Sequence, residues 1–238
     1  MRTATKKWLM AISLMLLGSS GGTYAMGGKA SWKEEVLLHD GRKVIVERSQ
    51  TRGGRREIGQ EVPVAEHIVS FRKPGTGQLV TWKSEHGMEI EKSSLLPLAL
   101  DIVAGAPYIV TTPAGCIAYN KSGRPNPPYV IQKFDGNAWQ RVPLADFPVE
   151  IKEANLVISA LMGQFERRLT GRSAPVPAGE VKSINAEARD PNVLYLRVFI
   201  REPLKPGSVG VSCPDYNSPR YMNPKAPNPI TPPSTGGG

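Results

Sequence analysis

The chain has 238 residues, a formal net charge of +9, a hydrophobic fraction of 40% and a charged fraction of 21%. These values are typical of a globular chain that builds one core, or two small ones. The basic residues are spread along the sequence and do not form the dense stripe with interleaved aromatic rings that nucleic-acid binding requires. We therefore expect no nucleic-acid partner.

The first 25 residues have the features of a secretory signal peptide. Arg2, Lys6 and Lys7 precede an apolar run of about ten residues, and Thr23 to Ala25 form a small-x-small cleavage site. The apolar run is shorter than the ~20 residues of a spanning helix, so we expect no stable membrane span. The sequence predicts cleavage near Ala25 and a periplasmic or secreted location. Loss of the three basic residues lowers the net charge from +9 to +6, which favours an anionic envelope surface as a partner.

Two antiparallel hairpins are predicted in the first part of the mature chain. Asp40-Gly41 lies between strand-like runs at 31–38 and 42–48, and Pro74 to Gly77 lies between runs at 66–73 and 78–83. Turn residues between such runs are strong hairpin signals. The polar stretch from Gln50 to Gln60 between the hairpins predicts a mobile loop.

Further strands follow as far as Val142. The apolar run from Leu95 to Val103 contains Pro97, which cannot donate to a sheet ladder and so predicts an edge strand or a bent one. Residues 107–111 form another strand-like run, and Cys116 to Tyr119 is predicted as a short strand. Residues 129–134 and 138–142 flank an Asp-Gly-Asn turn and predict a third hairpin.

The loop from Gly123 to Pro128 is rich in proline and is predicted to be stiff and exposed. Stiff exposed loops often carry recognition. The candidate binding residues are those in and beside this loop: Tyr119, Asn120, Lys121, Arg124 and Tyr129. The alternative is a structural crossover between hairpins, since most loops only connect.

The pattern changes after Pro148. Residues 155–159 predict a short strand, Leu161, Phe165 and Leu169 recur at helical spacing, and Gly171 is a plausible helix stop. Val181, Ile184 and Ala188 predict a second short helix, and residues 194–200 predict a strand. Residues 213–238 are rich in proline and glycine and predict a disordered tail.

These elements predict a mainly β fold, α+β overall, in one globular domain over residues 30–212. Residues 30–148 form an antiparallel hairpin sheet or sandwich, and residues 149–212 form a smaller α+β portion. Trp32, Trp82 and Trp139 each lie in one arm of a hairpin and are expected to be mostly buried. Their recurrence leaves a second possibility, a partial propeller built from β repeats.

The two cysteines, Cys116 and Cys213, invite a disulfide, because an exported chain meets an oxidising compartment. The bond would close a loop of 97 residues, which stabilises a fold by ~4–5 kcal/mol in the chain-entropy model. It requires Cα atoms ~4.4–6.8 Å apart. The alternative is two unrelated buried thiols.

Familiar catalytic patterns are absent from the sequence. His39, His67 and His86 lack the spacing of zinc ligands, so we predict no metal site, and no cofactor motif is found. Ser70 and Lys73 match Ser-x-x-Lys, but on a strand they point to opposite sides. Acidic residues are numerous enough that a carboxylate pair could arise in the fold, as glycosidases require.

The runs SWKEEVLLHDGRKVIVERS and PAGCIAYNKSGRPNPPYVIQKFDGNAWQRVPL resemble those of a family of uncharacterised exported bacterial proteins. The resemblance implies export and a single fold unit, and it supplies no activity and no site residues. Two hypotheses follow. The first is a non-catalytic envelope module that is structural or binds a protein or an anionic polymer. The second is a hydrolase that acts on an envelope polymer through paired carboxylates.

Overall fold

The structure, a computed structural model, describes residues 28–53, 64–85, 94–158, 168–187, 194–205 and 213–215. In these ranges the chain forms two four-stranded antiparallel sheets, each with its strands in chain order. The predicted mainly β fold with antiparallel hairpins is therefore confirmed. Sheet 1 contains β1 (Lys29–Leu37), β2 (Lys43–Arg52), β3 (Val64–Arg72) and β4 (Leu79–Glu85). Sheet 2 contains β5 (Leu95–Val103), β6 (Ala106–Pro113), β7 (Val130–Phe134) and β8 (Trp139–Val142).

The three predicted hairpins are all present. Asp40-Gly41 joins β1 to β2, and Gly41 has φ +85°, a left-handed conformation that side chains other than glycine rarely adopt. The turn from Pro74 to Gly77 joins β3 to β4, and Asp135 begins the turn between β7 and β8. Strand β5 lies at an edge of sheet 2 and its register shifts between Pro97 and Ala99, as the proline predicted.

Sheet 1 has one buried face and one exposed face. Residues of β1 and β2 alternate between exposed and buried, the pattern of a half-buried strand. The inward side chains form one core with residues of sheet 2, so the two sheets pack face to face. That core contains Val36, Leu38, Val44, Val46, Val69, Phe71, Val80, Trp82, Leu100, Ile102, Ile109 and Leu156.

Strands β5 and β6 of sheet 2 are buried on both faces. Of their 17 residues 13 are buried, as expected for near-continuous apolar runs. A second core covers the face that points away from sheet 1, and later parts of the chain contribute Phe147, Ile151, Ile158, Leu196 and Phe199 to it. Each sheet has the strand plan of a propeller blade, but two sheets packed face to face do not form the ring of a propeller.

The second half of the chain supplies helices and short pairings. The helices are α1 (Cys116–Lys121), a 3₁₀ turn (Leu144–Asp146), α2 (Ala178–Glu187) and α3 (Leu194–Arg197). Helix α2 confirms the predicted role of Val181 and Ile184, which pack with Trp32 in a third cluster. Val176 pairs with the edge of β1 through Glu35 N–H to Val176 O (2.8 Å) and Val176 N–H to Lys33 O (2.8 Å). Among the described residues no helix is long and apolar enough to cross a membrane.

Three predicted strands are wrong. Cys116 to Tyr119 is helical, because Gly115 at φ +86° turns the chain out of β6 and Tyr119 N–H then bonds to Gly115 O. Residues 194–197 are helical, and of the predicted strand at 194–200 only Val198 makes a β-bridge, with Glu153. Residues 155–158 form no strand. The N–H of Leu156 bonds to Leu98 O at the edge of β5, and the next two N–H groups bond to the side chains of Glu34 and Asn185.

Three smaller expectations also need correction or fall outside the description. Gln50 lies in β2 and is buried, so the predicted loop cannot begin there. Trp32 and Trp82 are buried as predicted, but Trp139 is only partly buried and its indole N–H bonds to Thr81 O. The predicted helix at 161–169 lies mostly outside the described residues, as do His86 and most of the tail.

Candidate functional site

The predicted disulfide is present and joins the start of helix α1 to the C-terminal segment. The Cα atoms of Cys116 and Cys213 are 5.2 Å apart, inside the range that a disulfide spans. The two residues are separated by 97 positions in the sequence. The bond therefore fixes residues 213–215 to the end of β6, which Pro113 and Gly115 terminate.

Two of the candidate binding side chains hold the same segment by hydrogen bonds. The Asn120 amide donates to Pro214 O (2.9 Å) and to Cys116 O (2.9 Å) within its own helix. The Arg124 guanidinium donates to Pro214 O (3.0 Å) and to Cys213 O (3.1 Å). We call Cys116, Asn120 and Arg124, together with the main chain of Cys213 and Pro214, the C-terminal clamp.

The Arg124 side chain is positioned by its own backbone and by its neighbours. Its φ is +52°, a left-handed conformation that is uncommon for residues other than glycine. The Arg124 Cζ atom lies over the Tyr119 ring, 5.2 Å from its centroid, in a cation–π contact. It also donates to the Asn120 side-chain oxygen at 3.0 Å. These contacts orient both side chains toward the carbonyls of the C-terminal segment.

The rest of the loop binds residues 195–204. The Asn126 side chain exchanges two hydrogen bonds with Leu204, to its carbonyl (3.0 Å) and from its N–H (2.8 Å). Tyr129 is buried, donates its hydroxyl to Tyr195 O (2.6 Å) and packs edge-on against Phe199. Burial raises the pKa of Tyr129 to about 12, partly opposed by the hydrogen bond from Ile200 N–H.

The loop is therefore less exposed than its prolines predicted. Pro127 and Pro128 are buried, and Asn126 is exposed. Of the candidate residues, Tyr129 is buried, Asn120 is nearly so, and Tyr119, Lys121 and Arg124 are half-buried. The structure brings Tyr119, Asn120 and Arg124 together. Asn120 and Arg124 hold the chain's own C-terminal segment, and Tyr129 binds the region around α3 instead.

Buried polar groups form a second cluster, on the inward face of sheet 1. Glu34 accepts hydrogen bonds from Arg48 (2.7 Å), from the Trp32 indole (3.1 Å) and from Val157 N–H (3.2 Å). His67 is also buried on this face and lies opposite Gln50 in the register of β2 and β3. Neither side chain has a hydrogen-bond partner among the described residues. Burial, with the charges of Arg48 and Arg52, lowers the pKa of His67 to about 3.

A cleft of about 600 Å³ lies beside the turn between β1 and β2, and we call it the turn cleft. Its walls are this turn, Asp101, residues 150–155 and the start of α2. The Asp101 carboxylate accepts the His39 ring N–H (2.7 Å) and the His39 backbone N–H (3.1 Å). Glu153 pairs with Lys182 at 2.9 Å. Three carboxylates thus line one cleft, and two of them already have partners.

Sequence reasoning identified the loop but missed its partner. The signal was available in the predicted disulfide, because a bond from Cys116 to Cys213 brings Asn120 and Arg124 close to the same segment. The sequence also contained a signal for the buried polar cluster. Every second residue of β2 points inward, and this row consists of two apolar and two polar residues: Val44, Val46, Arg48 and Gln50.

Comparison of the chain with protein-family models, with curated proteins and with solved structures finds no match. The resemblance to exported bacterial proteins therefore stays a prediction. The class that the fold defines is a protein of two packed antiparallel sheets, and function must be inferred from the side chains that these sheets position, since a fold of this class does not specify one.

Proposed function

We propose that the protein is an exported, non-catalytic envelope module that fixes the start of its C-terminal extension and presents that extension to a partner. The extension is residues 216–238, which include Arg220 and Lys225 and no acidic residue. A basic segment suits an anionic envelope polymer or an acidic protein surface.

The observation that carries this proposal is the C-terminal clamp. One disulfide bonds to the Cys213 side chain, and three hydrogen bonds from two side chains are donated to the main-chain carbonyls of Cys213 and Pro214. Bonds from the charged guanidinium are stronger than those between neutral groups. These contacts fix the position of two adjacent residues, Cys213 and Pro214, and so fix the point at which the extension begins. A fixed starting point lowers the entropic cost of placing the extension against a partner.

The state of the carboxylates supports a non-catalytic role. A glycosidase-type acid needs a raised pKa. A hydrogen bond from Lys43 lowers the pKa of Glu35, and one from Arg42 lowers the pKa of Asp40. The Ala138 N–H lowers the pKa of Asp135 in the same way. All three carboxylates therefore favour the ionised form. In the turn cleft, Asp101 and Glu153 are occupied by His39 and Lys182. The hydrolase hypothesis gains no specific support from these contacts.

Retention on insoluble peptidoglycan and on whole envelope fragments tests the proposal. Three proteins are compared at low and high salt: residues 26–238, residues 26–215, and residues 26–238 with both Cys116→Ser and Cys213→Ser. We expect the chain ending at Asp215 to lose about tenfold in affinity, since it keeps the clamp but lacks the extension. The cysteine variant should lie between the other two, because Asn120 and Arg124 still hold the segment.

A matched control separates charge from length. The double variant Arg220→Glu, Lys225→Glu keeps the extension but reverses its charge, and its binding should be as weak as that of the shortened chain if the partner is anionic. Equal retention of the full and shortened chains would contradict the proposal.

A further inference from the structure

We propose that residues 220–223 of the extension add to the open edge of β8 in the same chain, as a fifth strand of sheet 2. Strand β8 (Trp139–Val142) is the last strand of that sheet in chain order. This strand addition rests on the proposed role of the C-terminal clamp, because the clamp fixes where the extension begins. The edge of β8 is then a binding surface for a defined part of the extension.

The edge of β8 that points away from β7 has main-chain groups available for such a strand. At the hairpin turn, Asp135 N–H bonds to Ala138 O, and hydrogen-bonded pairs alternate along an antiparallel ladder. Gln140 therefore bonds to β7, and the N–H and carbonyl groups of Trp139 and Arg141 point outward. No hydrogen bond to these four groups is found within the part of the chain that the structure describes.

The outer edges of β1 and β5 show how this fold completes a sheet. Val176 exchanges main-chain hydrogen bonds with β1, and Leu156 N–H bonds to Leu98 O of β5. Both contacts come from segments that follow sheet 2 in the sequence. Addition of a later, extended segment to β8 would complete a third edge in the same way.

The clamp places the start of the extension near this edge. The Arg141 guanidinium of β8 donates to Ser122 O at 2.8 Å. Ser122 lies two residues from each of the two side chains that hold Pro214. Residues 215–219 can span up to about 17 Å when extended. This reach is enough to bring residue 220 to β8, since one arginine side chain joins β8 to Ser122.

The sequence of residues 220–223 suits a short outermost strand. Arg-Tyr-Met-Asn is the longest run of the extension without proline or glycine, and its four residues match the four of β8. Pro219 and Pro224 lie on either side of this run. Proline has no N–H to donate and is confined to edge strands and strand ends. The added strand would therefore itself be the edge, and its prolines would prevent addition of a further strand.

Hydrogen exchange of the main-chain amides of β8, followed by NMR, tests the strand addition. We expect the Trp139 and Arg141 amides to exchange about tenfold or more slowly in residues 26–238 than in residues 26–215, because the added strand accepts hydrogen bonds from them. The Ile109 amide lies inside sheet 2 and should exchange equally in both proteins. It reports any change in overall stability.

Two double proline variants separate strand addition from the mere presence of the extension. Neighbouring residues of a strand direct their N–H groups to opposite edges. Tyr221→Pro with Met222→Pro therefore removes a donor toward β8 in either register, and this variant should exchange like the shortened chain. Ala226→Pro with Asn228→Pro adds two prolines outside the run and should exchange like the wild type.

A mixture of isotope-labelled residues 26–215 with unlabelled residues 26–238 identifies the source of the strand. Slower exchange of Trp139 and Arg141 in the labelled chain would assign the strand to a second copy and would overturn the proposal. Equal exchange in the full and shortened chains, or slow exchange that persists in the Tyr221→Pro, Met222→Pro variant, would also overturn it. These measurements contain no envelope polymer, so their outcome is separate from retention of the extension on peptidoglycan.

Discussion

The two sheets differ in how many of their faces are buried and in which side chains lie on the buried faces. In sheet 2, strands β5 and β6 are covered on both faces, mainly by apolar side chains. Sheet 1 is covered on one face. That face includes the Glu34–Arg48 ion pair, and also His67 and Gln50, whose side chains have no hydrogen-bond partner within the part of the chain that the structure describes. Both sheets depend on apolar packing, and sheet 1 depends in addition on the pairing of two charged side chains that are almost completely buried.

The largest effect is expected from breaking the buried ion pair of sheet 1. The Glu34 and Arg48 side chains are 0% and 1% exposed, and they are 2.7 Å apart. Glu34→Gln removes the charge that compensates Arg48, and the free energy of unfolding, measured in urea, should fall by about 3–5 kcal/mol.

The control lies on the exposed face of the same sheet. Glu47 pairs with Lys33 at 2.9 Å, with side chains that are 63% and 53% exposed. Glu47→Gln should cost no more than about 1 kcal/mol, since solvent screens such pairs. Similar losses for Glu34→Gln and Glu47→Gln would mean that the interior pair is not a special feature of sheet 1.

Adjacent residues should respond differently in the two sheets. In β6, Ile109 and Val110 point to opposite faces and both are 0% exposed. In β2, Val46 is 0% exposed, but its neighbour Ile45 is 45% exposed. We expect Ile109→Ala to cost about 2–5 kcal/mol and Val110→Ala and Val46→Ala rather less, whereas Ile45→Ala should cost well below 2. A large loss for Ile45→Ala in urea denaturation would contradict the one-sided burial of sheet 1.

The smallest expected effect is a pH dependence that originates at His67. Its pKa is lowered from 6.5 to about 3 in the folded chain, so the unfolded chain binds a proton below pH 6.5 and the folded chain does not. Stability should therefore fall as the pH falls from 6.5 towards 3, by ~1.4 kcal/mol per unit. Between pH 7 and 5 the wild type should lose about 2 kcal/mol more than His67→Gln. Parallel pH profiles for the two proteins would exclude His67 as the source.

The hairpins could be predicted because their signals are local. Asp40-Gly41 specifies a turn by its backbone preferences, and the alternation from Lys43 to Arg48 places one side of β2 inward. The helices at Cys116 and Leu194 were missed because Ile117, Tyr119 and Val198 have high β-propensity, while distant contacts decide their conformation. Gly115 turns the first segment, and packing of Leu196 and Phe199 against sheet 2 favours helical spacing in the second.

The candidate site could be predicted only in part, for the same reason. The cysteine count indicated which two residues are bonded. The bonds from Asn120 and Arg124 join residues about 90 positions apart, and no local pattern specifies such contacts. The turn cleft is also non-local, since it assembles residues near 38, 101, 152 and 180.

The pairing of Val176 with β1 also bears on how the chain avoids aggregation. An uncovered edge strand is a template for another chain. The edge of β1 is covered by Val176, and the edge of β5 is covered by the Asn155 side chain, which bonds to both the N–H and the carbonyl of Leu100. Both covers come from the second half, which a ribosome delivers last. Until residues 155–176 have been synthesised, the edge strands of the first half can pair with another chain. Once synthesised, the second half covers these edges and blocks such intermolecular pairing.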